Sequence, residues 1–247
     1  MRLQAVLFDL DGTIAETETV HLQCFNEAFQ HFGLPYRWTF DEYRTLLEIA
    51  GGRERIRHYF EKIDNPPDHL RDLAAGLHKL KNELYVERME AGFQIRPGVR
   101  RLLEEALVCD ITCGLTTTTS RVNVDPLLRY SLAEDYSKYF AFLLTGTEIR
   151  HKKPDPAIYI TAKQMLLEQN RKNIIVIEDS HIGLVAARSA GLPVLITQNE
   201  FTGHHDFSGA AAVLSDLGDP ETPARLINGP ALLNGYVDLA YLDSLIA

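Results

Sequence analysis

The sequence predicts an α/β protein whose doubly wound parallel sheet is interrupted by an inserted, all-helical second domain. Three observations predict it: short apolar runs rich in β-branched residues, amphipathic stretches alternating with them, and one long interval without a strand. The first strand is expected at residues 3–8 and ends at Asp9. From about Ala15 to Gly92 the periodicity is helical only, at residues 18–32, 40–47, 53–63 and 70–91. That interval exceeds a crossover, which needs about a dozen residues beyond its helix. It is therefore read as a second domain, residues 15–92, set into a core of residues 1–14 and 93–247. The core resumes with a helix at 98–108, a strand at 111–117, a helix at 122–130 and a strand at 140–144. A helix at 155–168, a strand at 174–177, a helix at 181–190 and a strand at 193–196 complete it. The insertion leaves the core at the carboxyl end of strand one, where open α/β sheets place their ligands. A domain there is placed to act as a lid.

Composition narrows the function. The chain has 247 residues, 45% of them hydrophobic and 24% charged, with a net charge of −9, so it builds an ordinary globular core without a basic surplus. Nucleic acid and anionic membranes are thereby disfavoured as partners. No run approaches the ~20 apolar residues of a membrane helix. Arg2 before Ala5-Val6-Leu7-Phe8 starts like a secretory signal, but Asp9 ends the apolar stretch, and a cytoplasmic location is expected. Cys24, Cys109 and Cys113 are odd in number and lack CxxC spacing, which suggests neither a disulfide framework nor a zinc site. A monomer is expected.

Four features fall at the carboxyl ends of predicted strands. Asp9-Leu10-Asp11-Gly12-Thr13 holds two carboxylates two residues apart where the backbone leaves strand one. Asp, Gly and Thr also favour turns and caps. Like charges side by side at a strand end, however, imply a cation or a catalytic division of labour. Such a pair can bind Mg²⁺, use one carboxylate as nucleophile and its neighbour to move protons. Second, Thr117-Thr118-Thr119-Ser120 offers hydroxyls and backbone N–H groups that suit a phosphate oxygen, although threonine is also simply a good strand residue. Third, His151-Lys152-Lys153-Pro154-Asp155-Pro156 stiffens the approach to a helix and holds an ammonium in place, as a transferring phosphoryl group requires. Fourth, Glu178-Asp179-Ser180 serves equally as a helix cap or as the ligand set that Mg²⁺ needs beyond the first pair.

In this order the four motifs resemble those of the haloacid-dehalogenase-like phosphohydrolases with a helical cap inserted after the first motif, and motifs and cap together span nearly the whole chain. The resemblance implies a Rossmannoid core and an enzyme working through an aspartyl-phosphate. It implies Asp9 as nucleophile, Asp11 as the acid/base, and Thr117 and Lys153 as holders of the phosphoryl oxygens. Lys153 is chosen over Lys152 because it directly precedes Pro154. The same resemblance puts Mg²⁺ on Asp9, the Asp11 carbonyl and Asp179, with Glu178 close or acting through water. A non-catalytic module of this fold is expected to lack one of Asp9, Asp11, Lys153 or Asp179, and all four are present.

A narrower resemblance is to the CbbY-like members, sugar-bisphosphate phosphatases that remove the 1-phosphate of xylulose-1,5-bisphosphate, an inhibitor of Rubisco. It is carried by Gly51-Gly52-Arg53-Glu54-Arg55-Ile56, by Leu77-His78 followed by Lys81, by Thr117-Thr118 where many relatives have a Ser-Asn or Thr-Asn step, and by a tail segment. That segment is Asp206-Phe207-Ser208-Gly209-Ala210 with Ala212-Val213-Leu214-Ser215-Asp216-Leu217-Gly218, which phosphatase chemistry does not itself demand. A small-molecule bisphosphate also needs a second cationic pocket. Arg53, Arg55, His78 and Lys81 beside Gly51 and Gly52 can supply it, the plain alternative being solvated helix-face charges. Glu18 and His21, close to the catalytic loop, and Thr118 and Thr119 complete the expected substrate contacts. A β-phosphoglucomutase-like phosphomutase, or a phosphatase of another small sugar phosphate, carries the same motifs. Phosphoglycolate has no use for a distal cationic pocket.

Overall fold

The computed structural model describes residues 1–63, 69–89, 93–132 and 135–246. The predicted end of the fourth helix at Ala91 and the domain boundary at Gly92 lie outside the described residues. The elements are β1 (Ala5–Phe8), α1 (Glu18–His31), α2 (Phe40–Leu46), α3 (Gly52–Lys62), α4 (Leu70–Met89), α5 (Val99–Val108), β2 (Thr112–Thr116) and α6 (Arg121–Leu132). They continue as β3 (Phe142–Leu144), α7 (Ala157–Glu168), β4 (Ile174–Glu178), α8 (His181–Ser189), β5 (Val194–Thr197), β6 (Ala212–Leu214), β7 (Leu226–Asn228) and α9 (Leu239–Ser244). The strands form one seven-stranded sheet in the order β3-β2-β1-β4-β5-β6-β7, parallel except for the antiparallel edge strand β7.

The doubly wound arrangement follows from strands that are apolar on both faces. Along β1, Val6 and Phe8 face a layer containing α5, α6 and α9, while Ala5 and Leu7 face α7 and α8. The same alternation holds in β4, where Ile175 and Ile177 join the first layer and Ile174 and Val176 the second. β1 lies at the centre, with its residues in register with β2 on one side and β4 on the other, so Asp9, Thr117 and Asp179 emerge side by side at one edge.

The four helices α1 to α4 pack over that edge around an apolar cluster of their own. Phe25, Phe29, Trp38, Tyr43, Ile56, Phe60 and Leu77 form it, and Phe201 reaches in from the loop after β5. Cys24, Tyr85 and Met89 instead join the core's cluster, which ties α1 and α4 to the sheet. Thr39 and Glu42 form a reciprocal capping box that starts α2. Among the described residues no helix is long and apolar enough to cross a membrane.

Candidate active site

Strand ends bring the charged groups together. Lys153 Nζ lies 2.6 Å from Asp9 Oδ1, 2.6 Å from Glu178 Oε1 and 3.0 Å from the Thr116 carbonyl. Burial opposes the Lys153 charge, but the two carboxylates outweigh it and hold the ammonium protonated. Asp9 is pushed up to about 8, chiefly by burial, with Lys153 pulling the other way. Asp179 is likewise raised, by burial and by the neighbouring charges of Asp9 and Glu178. Oxygen atoms of Asp9, Glu178 and Asp179 lie within 4.8 Å of one another. Three buried carboxylates against one ammonium form an all-oxygen donor set whose excess negative charge a hard divalent cation offsets.

The neighbours of Glu178 and Asp179 divide their roles. Glu178 is fully buried, and both its oxygens are engaged: Oε1 by Lys153 and by Tyr159 Oη at 2.6 Å, Oε2 by Asp179 N–H and Ser180 Oγ. Its geometry is that of a brace for Lys153. Among the described residues Asp179 Oδ2 accepts only from Asn199 Nδ2, at 2.7 Å. Gly12, at φ +83°, lets the catalytic loop approach Asp179, since a Cβ there would lie 2.2 Å from Asp179 Oδ2.

Asp11 sits in a different environment. Thr17 Oγ1 and Thr119 Oγ1 donate to its carboxylate, and His21 Nε2 lies 3.1 Å from Oδ1. Burial works against the Asp11 charge, yet these hydrogen bonds hold it below the usual carboxylate range. His21 is itself kept neutral by burial and by the nearby Lys81 charge, and it stacks on Tyr85 at 4.0 Å. Its Nε2 therefore carries the hydrogen that it gives Asp11.

These groups open into a cavity of about 460 Å³ between the sheet edge and the helices. It is lined by Asp9, Asp11, Thr117, Thr118, Thr119, Lys153 and Asp179 from the core and by Glu18, His21, Gly51, Gly52, Arg53, Arg55, His78 and Lys81 from the helices. Of the residues singled out from sequence, Glu178 alone lies behind the wall. Arg55 lines the cavity, but its three nitrogens donate to Leu46 O, Tyr43 Oη and Ile49 O. Tyr43 in turn donates to Glu18 at 2.6 Å, so Arg55 holds Glu18 through a tyrosine with three of its five N–H groups engaged. Lys81 is 4% exposed and lies over the rings of Phe25 and Tyr85. Burial lowers it to about 8, against the pull of Asp11. Burial, and then Lys81, lower His78 to about 4, which makes it a neutral lining group at pH 7.

Sequence reasoning missed several supporting residues. Arg96, 7% exposed and just before the core resumes, donates to the carbonyls of Gly12, Thr197, Gln198 and Ser215 and pairs with Glu16 at 2.8 Å. It thereby ties the loop after β1 to the ends of β5 and β6. Lys152, beside Lys153, points across the cleft and pairs with Glu54 of α3 at 2.9 Å. The motif containing Lys152 was visible, but its partner was not.

Residues 6–197 match the family model described as haloacid dehalogenase-like hydrolase. The chain belongs to the haloacid dehalogenase-like hydrolases. It is 39% identical to the plasmid-encoded protein CbbY of Cupriavidus necator over 97% of this chain and 95% of that protein. It is 30% identical to a phosphorylated carbohydrates phosphatase of Thermotoga maritima, over 77% of this chain and 82% of the other. Among solved structures, a mutant CbbY of Rhodobacter sphaeroides in complex with xylulose-(1,5)bisphosphate superposes with a TM-score of 0.81 at 33% identity, covering 95% of this chain and 100% of that one. The haloacid dehalogenase-like chain is thus an enzyme with CbbY relatives and phosphatase activity.

Proposed function

We propose that this haloacid dehalogenase-like enzyme is a Mg²⁺-dependent sugar-bisphosphate phosphatase that forms an aspartyl-phosphate, with xylulose-1,5-bisphosphate as substrate and xylulose-5-phosphate and phosphate as products. The observation that carries the reading is one cavity lined both by Asp9 against Lys153 and by a second buried ammonium, Lys81, which has no carboxylate within ion-pair distance among the described residues. Two cationic regions in one cavity suit a ligand with two anionic ends. The relative bound to xylulose-(1,5)bisphosphate supports this choice of substrate.

In the proposed reaction an Asp9 carboxylate oxygen attacks phosphorus, the bond from phosphorus to the sugar oxygen breaks, and Asp11 gives that oxygen a proton. Asp11 is ionised in the free enzyme, and a dianionic phosphoryl group brought against it raises its affinity for the proton it must carry. Asp11 next takes a proton from water, whose oxygen attacks the aspartyl-phosphate and frees phosphate and Asp9. Lys153 and Thr117 hold phosphoryl oxygens, and Lys153 aims Asp9 and pulls its pKa down against burial. Asp9, the Asp11 carbonyl and Asp179 would hold Mg²⁺, which supplies charge neutralisation so that Asp9 and a phosphate can meet. Glu178 acts through Lys153. Residues 15–92 form the cap, closed by Lys152–Glu54.

Phosphate release from xylulose-1,5-bisphosphate with Mg²⁺ tests the reading. One equivalent of phosphate is expected. Conversion of β-glucose-1-phosphate to glucose-6-phosphate without phosphate release would establish the mutase instead.

A further inference from the structure

Where α4 meets α6, the cavity wall consists of two amides and a hydroxyl. Asn123 Nδ2 donates to Asn82 Oδ1 at 3.0 Å, and Lys81 Nζ approaches the same oxygen at 3.5 Å. Two donors on Asn82 Oδ1 fix the orientation of both amides, so Asn123 turns its own Oδ1 away from Asn82. Asn123 is 3% exposed, and that Oδ1 has no hydrogen-bond partner among the described residues. Ser120 Oγ, one helical turn earlier, is likewise buried and unpartnered. Asn82, Ser120 and Asn123 all line the catalytic cavity.

A bond between two asparagines needs no ligand to explain it, since it joins α4 to α6. It leaves Asn123 Oδ1 and Ser120 Oγ unexplained, and buried polar groups in folded proteins are nearly always paired. The atoms themselves define what pairs with them. Asn123 Oδ1 only accepts, so an ionised phosphate oxygen, also an acceptor, cannot satisfy it. A hydroxyl can, because it donates its hydrogen to Oδ1 and its oxygen can accept from Ser120 Oγ. The neighbours are groups of the proposed site: Thr119, preceding Ser120, touches Asp11, and Lys81 touches Asn82.

We propose that Ser120, Asn123 and Asn82 form a subsite that reads the hydroxyls of the carbon chain between the substrate's two phosphates. The proposal rests on the bisphosphatase reading and adds the basis on which a polyol chain is chosen over an unsubstituted one. The subsite requires both α4 and α6, so it is complete only with the helical insert seated on the core. A substrate hydroxyl bound there stabilises that arrangement, coupling recognition of the chain to closure over Asp9.

The test compares kcat/KM for xylulose-1,5-bisphosphate and for pentane-1,5-diol bisphosphate, which has the same chain length and phosphates but no hydroxyls. The native enzyme is expected to favour the sugar by at least about tenfold. Asn123→Ala and Ser120→Ala each lower kcat/KM on the sugar while leaving the diol bisphosphate nearly unchanged, so the preference shrinks. Equal losses on both substrates, or no preference in the native enzyme, would overturn the proposal. Ser120 is half-buried, so Ser120→Ala carries the comparison if Asn123→Ala does not fold. Release of phosphate from neither compound contradicts the bisphosphatase reading instead. Calorimetric binding of the two compounds to native and Asn123→Ala protein then decides the subsite alone, by the same pattern of preference kept or lost.

Discussion

Lys153→Met removes the one cation between two buried carboxylates, and the structure sets the scale of the result. Lys153 is 4% exposed, and its ammonium is 2.6 Å from both Asp9 and Glu178. Methionine keeps the length of the side chain, so the loss is one of charge and hydrogen bonds rather than of volume. Removing one partner from a buried ion pair costs about 3–5 kcal/mol because the remaining charge is stranded. For a chain of this size, with a melting shift of ~2–4 °C per kcal/mol, the expected fall is about 6–20 °C. The sign of the pH dependence follows from Asp9, whose carboxyl already stands near 8 with Lys153 present. Without the ammonium its pKa moves further up, so Asp9 holds its proton below about 8 in both proteins and only the native one ionises above it: the destabilisation is steady from pH 5 to 7 and grows as pH rises past 8. Adding Glu178→Gln to Lys153→Met removes one carboxylate and recovers part of the melting temperature without restoring turnover. Scanning calorimetry at pH 6, 8 and 9 with a parallel phosphate-release assay reads all of this. A fall under 2 °C at pH 8, or activity within tenfold of the native enzyme, refutes the reasoning.

Three further outcomes are expected. Asp9 binds its proton more tightly in the folded than in the unfolded chain, so cation-free protein loses stability as pH rises from about 4 through 8. Mg²⁺ therefore raises the melting temperature more at pH 8 than at pH 6, and equal shifts count against Asp9 as a ligand. Lys81→Met raises KM for the bisphosphate at least about tenfold. Because the native ammonium titrates near 8, native KM itself climbs above pH 8, which a pH series of initial rates checks. Gly51→Ala forces a side chain onto a φ of +92° and brings a Cβ to 2.5 Å from Lys152 Nζ, displacing the Lys152–Glu54 pair. It costs about 1–3 kcal/mol by thermal melting, with a fall in kcat/KM.

The parallel strands were legible because burial on both faces leaves an apolar run that polar turn residues punctuate at each end. β6 and β7 were not read as strands: each has three residues, and β7 is a half-exposed antiparallel edge. α9 has only six residues, and its start depends on the Asp238 cap. The motif residues were visible for a related reason. Asp9, Thr117 and Asp179 each follow a strand directly, and the sheet carries strand ends to one edge whatever the loops do; Lys153 comes from the loop between β3 and α7 and was visible through its Lys-Pro step. Single side chains that act through distant partners left no local pattern. Arg96 reaches Ser215 across 119 positions, and Tyr159 finds Glu178 from the first turn of α7. Arg55 shows another limit: its place in the cavity lining was legible from the glycines beside it, but its three bonds to Leu46, Tyr43 and Ile49 were not.

The central claim is that the phosphoryl group passes through Asp9. Acid quenching during turnover of xylulose-1,5-bisphosphate, followed by peptide mass mapping, tests it most directly. The account predicts a phosphoryl group on the peptide containing Asp9 and none in Asp9→Asn, which also releases no phosphate. Turnover by Asp9→Asn, or a phosphoryl group trapped on any other residue, would contradict it.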